Sequence, residues 1–164
     1  MTPELHRPLA IACVGPEGLD VEVEADAAEC AALEQRMFLT AVGSLSCRFH
    51  LMRKTADILL LHGHLTARVV QTCVLTLEDF PADVEERFTV RCVPEGREGA
   101  DIDPVAVDEF TYEDRVLDLG EAAAEQLALA LDPYPRAPGA AFPDIGARPE
   151  TGQSAAFAAL KCRN

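Results

Sequence analysis

The stretch Val42-Gly43-Ser44-Leu45-Ser46-Cys47-Arg48-Phe49-His50-Leu51-Met52-Arg53, then Lys54-Thr55-Ala56-Asp57, then Ile58-Leu59-Leu60-Leu61-His62-Gly63-His64-Leu65-Thr66-Ala67-Arg68-Val69-Val70-Gln71-Thr72-Cys73, decides the fold. Apolar and polar residues alternate with period two on both sides of a short polar break, the pattern of two antiparallel strands joined by a turn. With the turn centred near Thr55, Leu45, Cys47, Phe49 and Leu51 face Leu65, Gly63, Leu61 and Leu59 on the core side. The opposite face then carries Ser46, Arg48 and His50 beside His62, His64 and Arg68. A slip of one residue would exchange the two faces, so the apolar set pins the pleat. Beyond Ala67 the second strand has little polar content through Val69, Val70 and Val74, and reads as covered on both faces.

Toward the N-terminus, residues 8–14 and 19–24 read as strands separated by Gly15-Pro16-Glu17-Gly18. In the second, Leu19, Val21 and Val23 alternate with Asp20, Glu22 and Glu24, giving one apolar and one acidic face. Asp26 offers an N-cap with Glu29 as capping-box partner, and a helix over 27–38 carries Cys30, Leu33 and Met37 on one stripe. Toward the C-terminus, 83–93 reads as a strand with Val84, Phe88, Val90 and Cys92 inward and Glu85, Arg87, Thr89 and Arg91 outward. Residues 94–113 read as a long mobile loop, with a short strand or edge segment within 109–115. Asp118 caps a second helix, again with an acid, Glu121, three residues on, and Leu119, Ala123, Leu127 and Leu131 form its stripe. Asp132-Pro133 stops it, and Pro133-Tyr134-Pro135-Arg136-Ala137-Pro138-Gly139 continues extended. Ser154 caps a last short helix carrying Phe157 and Leu160. The expected fold is α+β: a bent antiparallel sheet or partly open β-barrel with two main helices packed on it. One domain spans 1–142, and 143–164 form a tail with the short C-terminal helix.

The 164 residues suffice for one core, built from Leu, Val, Ile and Ala with seven Phe and no Trp. Twenty-eight acidic against 14 basic residues give a formal charge of -14, and the only lysines are Lys54 and Lys161. Sequence-blind nucleic-acid binding needs cations that displace counterions from phosphates, so this balance argues against it and toward a basic protein partner. The six cysteines, at 13, 30, 47, 73, 92 and 162, form no C-x-x-C pair. No signal peptide or apolar span of about 20 residues appears, so a reducing cytoplasm with cysteines as small buried hydrophobes is expected.

His62 and His64 are an H-x-H pair, with His50 on the partner strand; two such imidazoles lie about 7 Å apart. A metal needs three or four convergent ligands, so a solvated sheet face is the plainer reading and no metal or cofactor is expected. Arg48 and Arg68 join His62 and His64 as candidates for a local RNA contact, while Asp20, Glu22 and Glu24 are candidates for a basic partner. Tyr134 and Arg136 end the block 118–136, and an aromatic beside an arginine is a typical interface anchor. Cys73 lies in an apolar run whose parity matches Leu61 and Leu65, and reads as packed rather than nucleophilic. G-x-S-x-G, P-loop, G-x-G-x-x-G and H-E-x-x-H patterns are all missing, so no catalytic residues are assigned and no enzyme is expected.

Several segments resemble the YceD family: 22–29, 67–77, Asp118-Leu119-Gly120-Glu121, 125–139 with its D-P-Y-P-R core at Asp132-Pro133-Tyr134-Pro135-Arg136, and the ending 157–161. The likeness is closest to the alphaproteobacterial branch. It implies a cytoplasmic ribosome-biogenesis factor supporting accumulation and processing of 23S ribosomal RNA, with a ribosomal protein or pre-ribosomal particle as partner and no membrane. Many relatives carry a second cysteine shortly after the position of Cys73; here Val74-Leu75-Thr76-Leu77 follows, which removes the case for a zinc knuckle. Two other readings are a protein-interaction adaptor unrelated to ribosomes, working through 118–136, and a small metal-binding protein centred on His50, His62 and His64.

Overall fold

The computed structural model describes residues 4–97 and 108–141. In chain order the elements are β1 (Pro8–Ala10), a single 3-10 turn (Ile11–Cys13), β2 (Leu19–Glu24), α1 (Ala27–Met37) and β3 (Ala41–Arg53). They continue with β4 (Leu59–Thr72), β5 (Asp79–Pro94), β6 (Asp108–Tyr112), β7 (Val116–Asp118) and α2 (Leu119–Ala130). The main sheet has the order β2-β3-β4-β5-β6, and β1 pairs with β7 in a second, two-stranded sheet.

The α+β class is as expected, with two corrections. The main sheet is mixed rather than antiparallel, because β6 runs parallel to β5, with Val90 opposite Asp108 and Pro94 opposite Tyr112. It is also open: among the described residues β2 and β6 are edges that pair with no further strand, so no barrel closes. The short C-terminal helix and the tail lie outside the described residues, as does 98–107 of the expected loop.

The β3–β4 hairpin has the expected faces and a register two residues further along. Phe49 stands opposite Gly63, Leu51 opposite Leu61 and Cys47 opposite Leu65. The connection is a wider loop, in which Lys54 N and Thr55 N both donate to Ile58 O, and Ile58 N donates to Thr55 Oγ1. Moving by two preserves parity, so the apolar row stays inward. β4 ends at Thr72, and Val74 beyond it is 43% exposed rather than covered on both faces. The expected strand over 8–14 is cut short by the 3-10 turn, and its partner is β7, not β2.

Both helices cover the inner face. Asp26 caps α1 through Ala28 N and Glu29 N, and Glu29 returns the bond to Asp26 N, which completes the capping box. Asp118 caps α2 through Gly120 N and Glu121 N, but Glu121 is drawn away to Arg36, so the reciprocal half does not form. Leu33, Phe49, Leu51, Leu61, Leu65, Val69, Leu119, Ala123 and Leu127 form one continuous core. The N-terminal segment crosses α2 closely: a Cβ on Gly120 would meet Leu5 O at 2.4 Å, so only glycine fits there.

Candidate functional site

The outer face of the main sheet is built from rungs that cross four strands. One runs Asp20, His50, His62, Thr89; the next runs Glu22, Arg48, His64, Arg87; the third runs Glu24, Ser46, Thr66, Glu85. A partial fourth holds Ser44, Arg68 and Asp83. Register therefore brings together two sets that the sequence presented separately: the acidic row of β2 and the Arg/His row of β3 and β4.

These groups mostly satisfy each other. His50 Nδ1 lies 2.6 Å from Asp20 Oδ1, and Arg48 Nε donates to Glu22 Oε1 at 3.0 Å. His62 Nδ1 lies 2.8 Å from Thr89 Oγ1, and His64 Nε2 lies 2.9 Å from Glu85 Oε1. Arg68 Nε donates to Asp83 Oδ1 at 3.1 Å. The pairs are open to water (the Arg48 and Arg68 side chains are 75% and 73% exposed), so each contributes no more than about 1 kcal/mol. Arg87 makes no ion pair among the described residues and also lines the groove over this face. A groove of about 570 Å³ lies over the first two rungs, lined by Asp20, Glu22, Arg48, His50, His62, His64 and Arg87 and floored by Val21, Phe49 and Gly63. Its charge is mixed rather than basic, which differs from the RNA-facing patch that Arg48, His62, His64 and Arg68 alone would suggest.

The three histidines do not converge on a common point with further ligands; among the described residues no group of three or more His, Cys, Asp and Glu could hold a metal ion. Tyr134 and Arg136 are exposed and belong to the extended strap after α2, not to this face. The strap is tied down by Val74 N donating to Pro135 O and Gln71 Nε2 donating to Asp132 O. Arg136 lines a separate cleft of about 310 Å³ with Asp132, Phe80 and Asp83.

Cys73 is buried, as expected of a packed residue, but its surroundings are not those of the core. It follows the end of β4 in a tight loop closed by Cys73 N to Glu78 O and Leu77 N to Cys73 O, and it has no accessible surface, yet it stands outside the core cluster. A thin cover of loop and strap surrounds it. The Thr76 hydroxyl and then the Ala137 N–H bond to its sulfur, with further help from the N–H groups of Thr76 and Leu75, and together they overcome burial to lower the thiol to about 7. Thr76 occupies the place that the second cysteine of a C-x-x-C would take. That spacing was the available sequence signal, because a hydroxyl three residues on reaches back to the sulfur as a turn closes.

The described residues thus form an open α+β sheet whose outer face is polar, largely self-paired and grooved. The family model for the large ribosomal RNA subunit accumulation protein YceD matches residues 61–161, and the chain belongs to that family. No curated protein and no solved structure matches it.

Proposed function

We propose that the chain is a non-catalytic factor of ribosome biogenesis that supports 23S rRNA accumulation and processing in the cytoplasm. It acts by holding a basic ribosomal protein or a pre-ribosomal particle against the outer face of its main sheet. Family membership supports the ribosomal setting. The observation that carries the mode of action is the charge of the face. Asp20, Glu22, Glu24, Asp83 and Glu85 outnumber Arg48, Arg68 and Arg87, and two of those arginines are already paired with carboxylates. RNA phosphates would have to displace those carboxylates, whereas a cationic protein segment gains from them. Direct RNA contact is then local, at Arg87 with His62 and His64.

The test has two arms. Cells lacking the protein are expected to show depleted 23S rRNA and large subunits on a sucrose gradient, restored by the natural chain. An Asp20→Lys/Glu22→Lys chain, expressed at the same level and folded, is expected to restore little. Normal large-subunit levels in the deletion would remove the ribosomal reading. Full restoration by the double variant would remove the outer face from it, and crosslinking in cells then asks whether the strap at Tyr134 and Arg136 makes the contact instead.

A further inference from the structure

Among the described residues β2 is an edge of the main sheet, and the phase of its hydrogen bonds identifies the backbone groups left over. In an antiparallel pair only alternate residues turn their N–H and C=O toward the partner strand. Ala25 N donates to Leu45 O, and these two residues stand opposite when the β2–β3 register is continued by one position. The set turned toward β3 is therefore Leu19, Val21 and Val23. The β3–β4 pair has the complementary phase: Lys54 N donates to Ile58 O, so the even-numbered residues of β3 turn to β4 over this stretch. The N–H and C=O groups of Asp20, Glu22 and Glu24 consequently point away from the sheet. Arg7 reaches the last of them, with Nη2 donating to Glu24 O at 3.0 Å. Among the described residues nothing bonds to the N–H or C=O of Asp20 and Glu22 on this side.

Such a row of edge amides is a template for another strand. The window is framed: Gly18 N donates to Gly15 O in the turn at one end, and Arg7 closes the other. Between them residues 19–23 span about 17 Å. The side chains of the window set what fits beside it. Asp20 and Glu22 stand on the outer face with side chains 85% and 50% exposed, while Leu19 and Val21 are half-buried against the core on the inner face. An added strand places alternate side chains next to the two carboxylates and the others next to Leu19 and Val21. The matching sequence alternates Lys or Arg with an aliphatic residue. A second copy of the chain does not match, because β2 laid antiparallel on β2 sets its three acids against one another, and facing like charges destabilise.

We propose that the free edge of β2 takes up an extended segment of a protein partner, alternating cationic and aliphatic residues, as a sixth strand of the main sheet. The inference rests on the reading that a basic protein is held at the outer face, and it supplies the mode. Backbone bonds at Asp20 and Glu22 give the hold, and the carboxylates of the same two residues select the cations.

The probe is a short capped peptide alternating lysine and valine, titrated calorimetrically into the full chain. Paired antiparallel to β2, its lysine amides turn to the edge and its valine amides turn away. N-methylation of the central lysine amides is expected to weaken binding at least tenfold, and N-methylation of the central valine amides less than twofold. Hydrogen exchange locates the seat: the Asp20 and Glu22 amides are expected to exchange freely in the chain alone and to gain protection with the peptide. Glu22→Pro removes the outward N–H at an edge position that tolerates proline, whereas Glu22→Thr removes the same charge and keeps the amide. The proline variant is expected to bind at least tenfold more weakly than the threonine variant. No binding of the peptide, indifference to which amides are methylated, Asp20 and Glu22 amides already protected in the free chain, or a dimer of the chain that Glu22→Pro dissociates each overturn the proposal. If Asp20→Lys/Glu22→Lys abolishes binding while both methylated peptides bind alike, strand addition falls and the outer face stands as the partner's seat.

Discussion

Gly63→Ala is the substitution whose effect the structure fixes most sharply. Gly63 lies opposite Phe88 in the β4–β5 ladder, and an added Cβ would stand 2.1 Å from Phe88 Cζ and 2.5 Å from both Cε atoms. The ring fills the space a side chain at 63 would occupy and makes an edge-to-face contact with Phe49, with centroids 6.1 Å apart at 75°. The single methyl must push the ring aside, an overpacking cost of about 2 kcal/mol. The ceiling is complete ejection of the ring, about 3 kcal/mol for a half-buried Phe that also loses its aromatic partner. With Phe88→Ala already made, the clash is gone and only the ordinary preference for Ala over Gly in a strand remains. Gly63→Ala is then expected to stabilise by about 0.5–1 kcal/mol. The sign therefore reverses between backgrounds, with a coupling of about 2.5–3 kcal/mol. Urea unfolding followed by far-UV circular dichroism measures it, since the chain has no Trp. An equal cost in both backgrounds would refute the reasoning, because it would mean that Phe88 does not sit over Gly63 and that the β4–β5 register is different.

Asp118→Ala removes the acceptor for Gly120 N, Glu121 N, Arg7 N and His6, and is expected to cost about 2 kcal/mol at pH 7. Burial pushes this carboxyl up, but the Arg7 N–H, His6 and Glu121 N–H outweigh it and hold it below its ordinary value. The contribution is thus complete above the ordinary carboxylate range and fades as pH falls through the depressed value; urea curves at pH 7 and pH 3 should show the gap closing. Arg36→Met frees Glu121, bonded at 2.5 and 2.9 Å, and Glu4 at 3.0 Å, and should cost about 1 kcal/mol, less in 1 M salt, by the same assay. Thr76→Val should raise the Cys73 thiol from about 7, read as the pH midpoint of thiolate absorbance against a Cys73→Ala control; a midpoint already in the ordinary thiol range in the natural chain would contradict the hydrogen-bonded loop. Isothermal titration with Zn²⁺ should give no site tighter than about micromolar. Such a site, lost with His62→Gln, would revive the metal-binding reading.

Period-two alternation made the faces of β3 and β4 legible, because burial on one side leaves a direct mark on residue type. The register was not, since the loop after Arg53 lacks an Asn-Gly signal and is closed by Thr55 Oγ1 and Ile58 O, a choice invisible to a pattern of apolar positions. Asp26 and Glu29 were legible as a capping box because both partners are local. Asp118 and Glu121 looked the same, yet Glu121 is claimed by Arg36, which is distant in sequence. Long-range pairing also hid β6 beside β5 and β1 beside β7. The candidate site shows the same limit. Asp20, Glu22, Arg48 and His62 were each visible as outward residues, but their mutual neutralisation depends on a register that joins β2 to β4 through β3.

The family span begins at Leu61, inside β4, and that boundary bears on which surface does what. β4 is central in the main sheet, and its inward Leu61, Leu65 and Val69 are fully buried in the same core as Leu33, Cys47, Phe49 and Leu51 from α1 and β3. The matched span therefore does not hold a complete core, and β2, α1 and β3 are structural necessities for it. The groove straddles the boundary: Asp20, Glu22, Arg48 and His50 precede it, while His62, His64 and Arg87 follow it. Its acidic wall, Asp20 and Glu22, comes wholly from outside the span. The exposed large hydrophobics divide differently: Val74, Leu77, Val116, Leu129 and Tyr134 fall within the span, and Phe38 lies before it. The groove, by contrast, has to be completed by the N-terminal half.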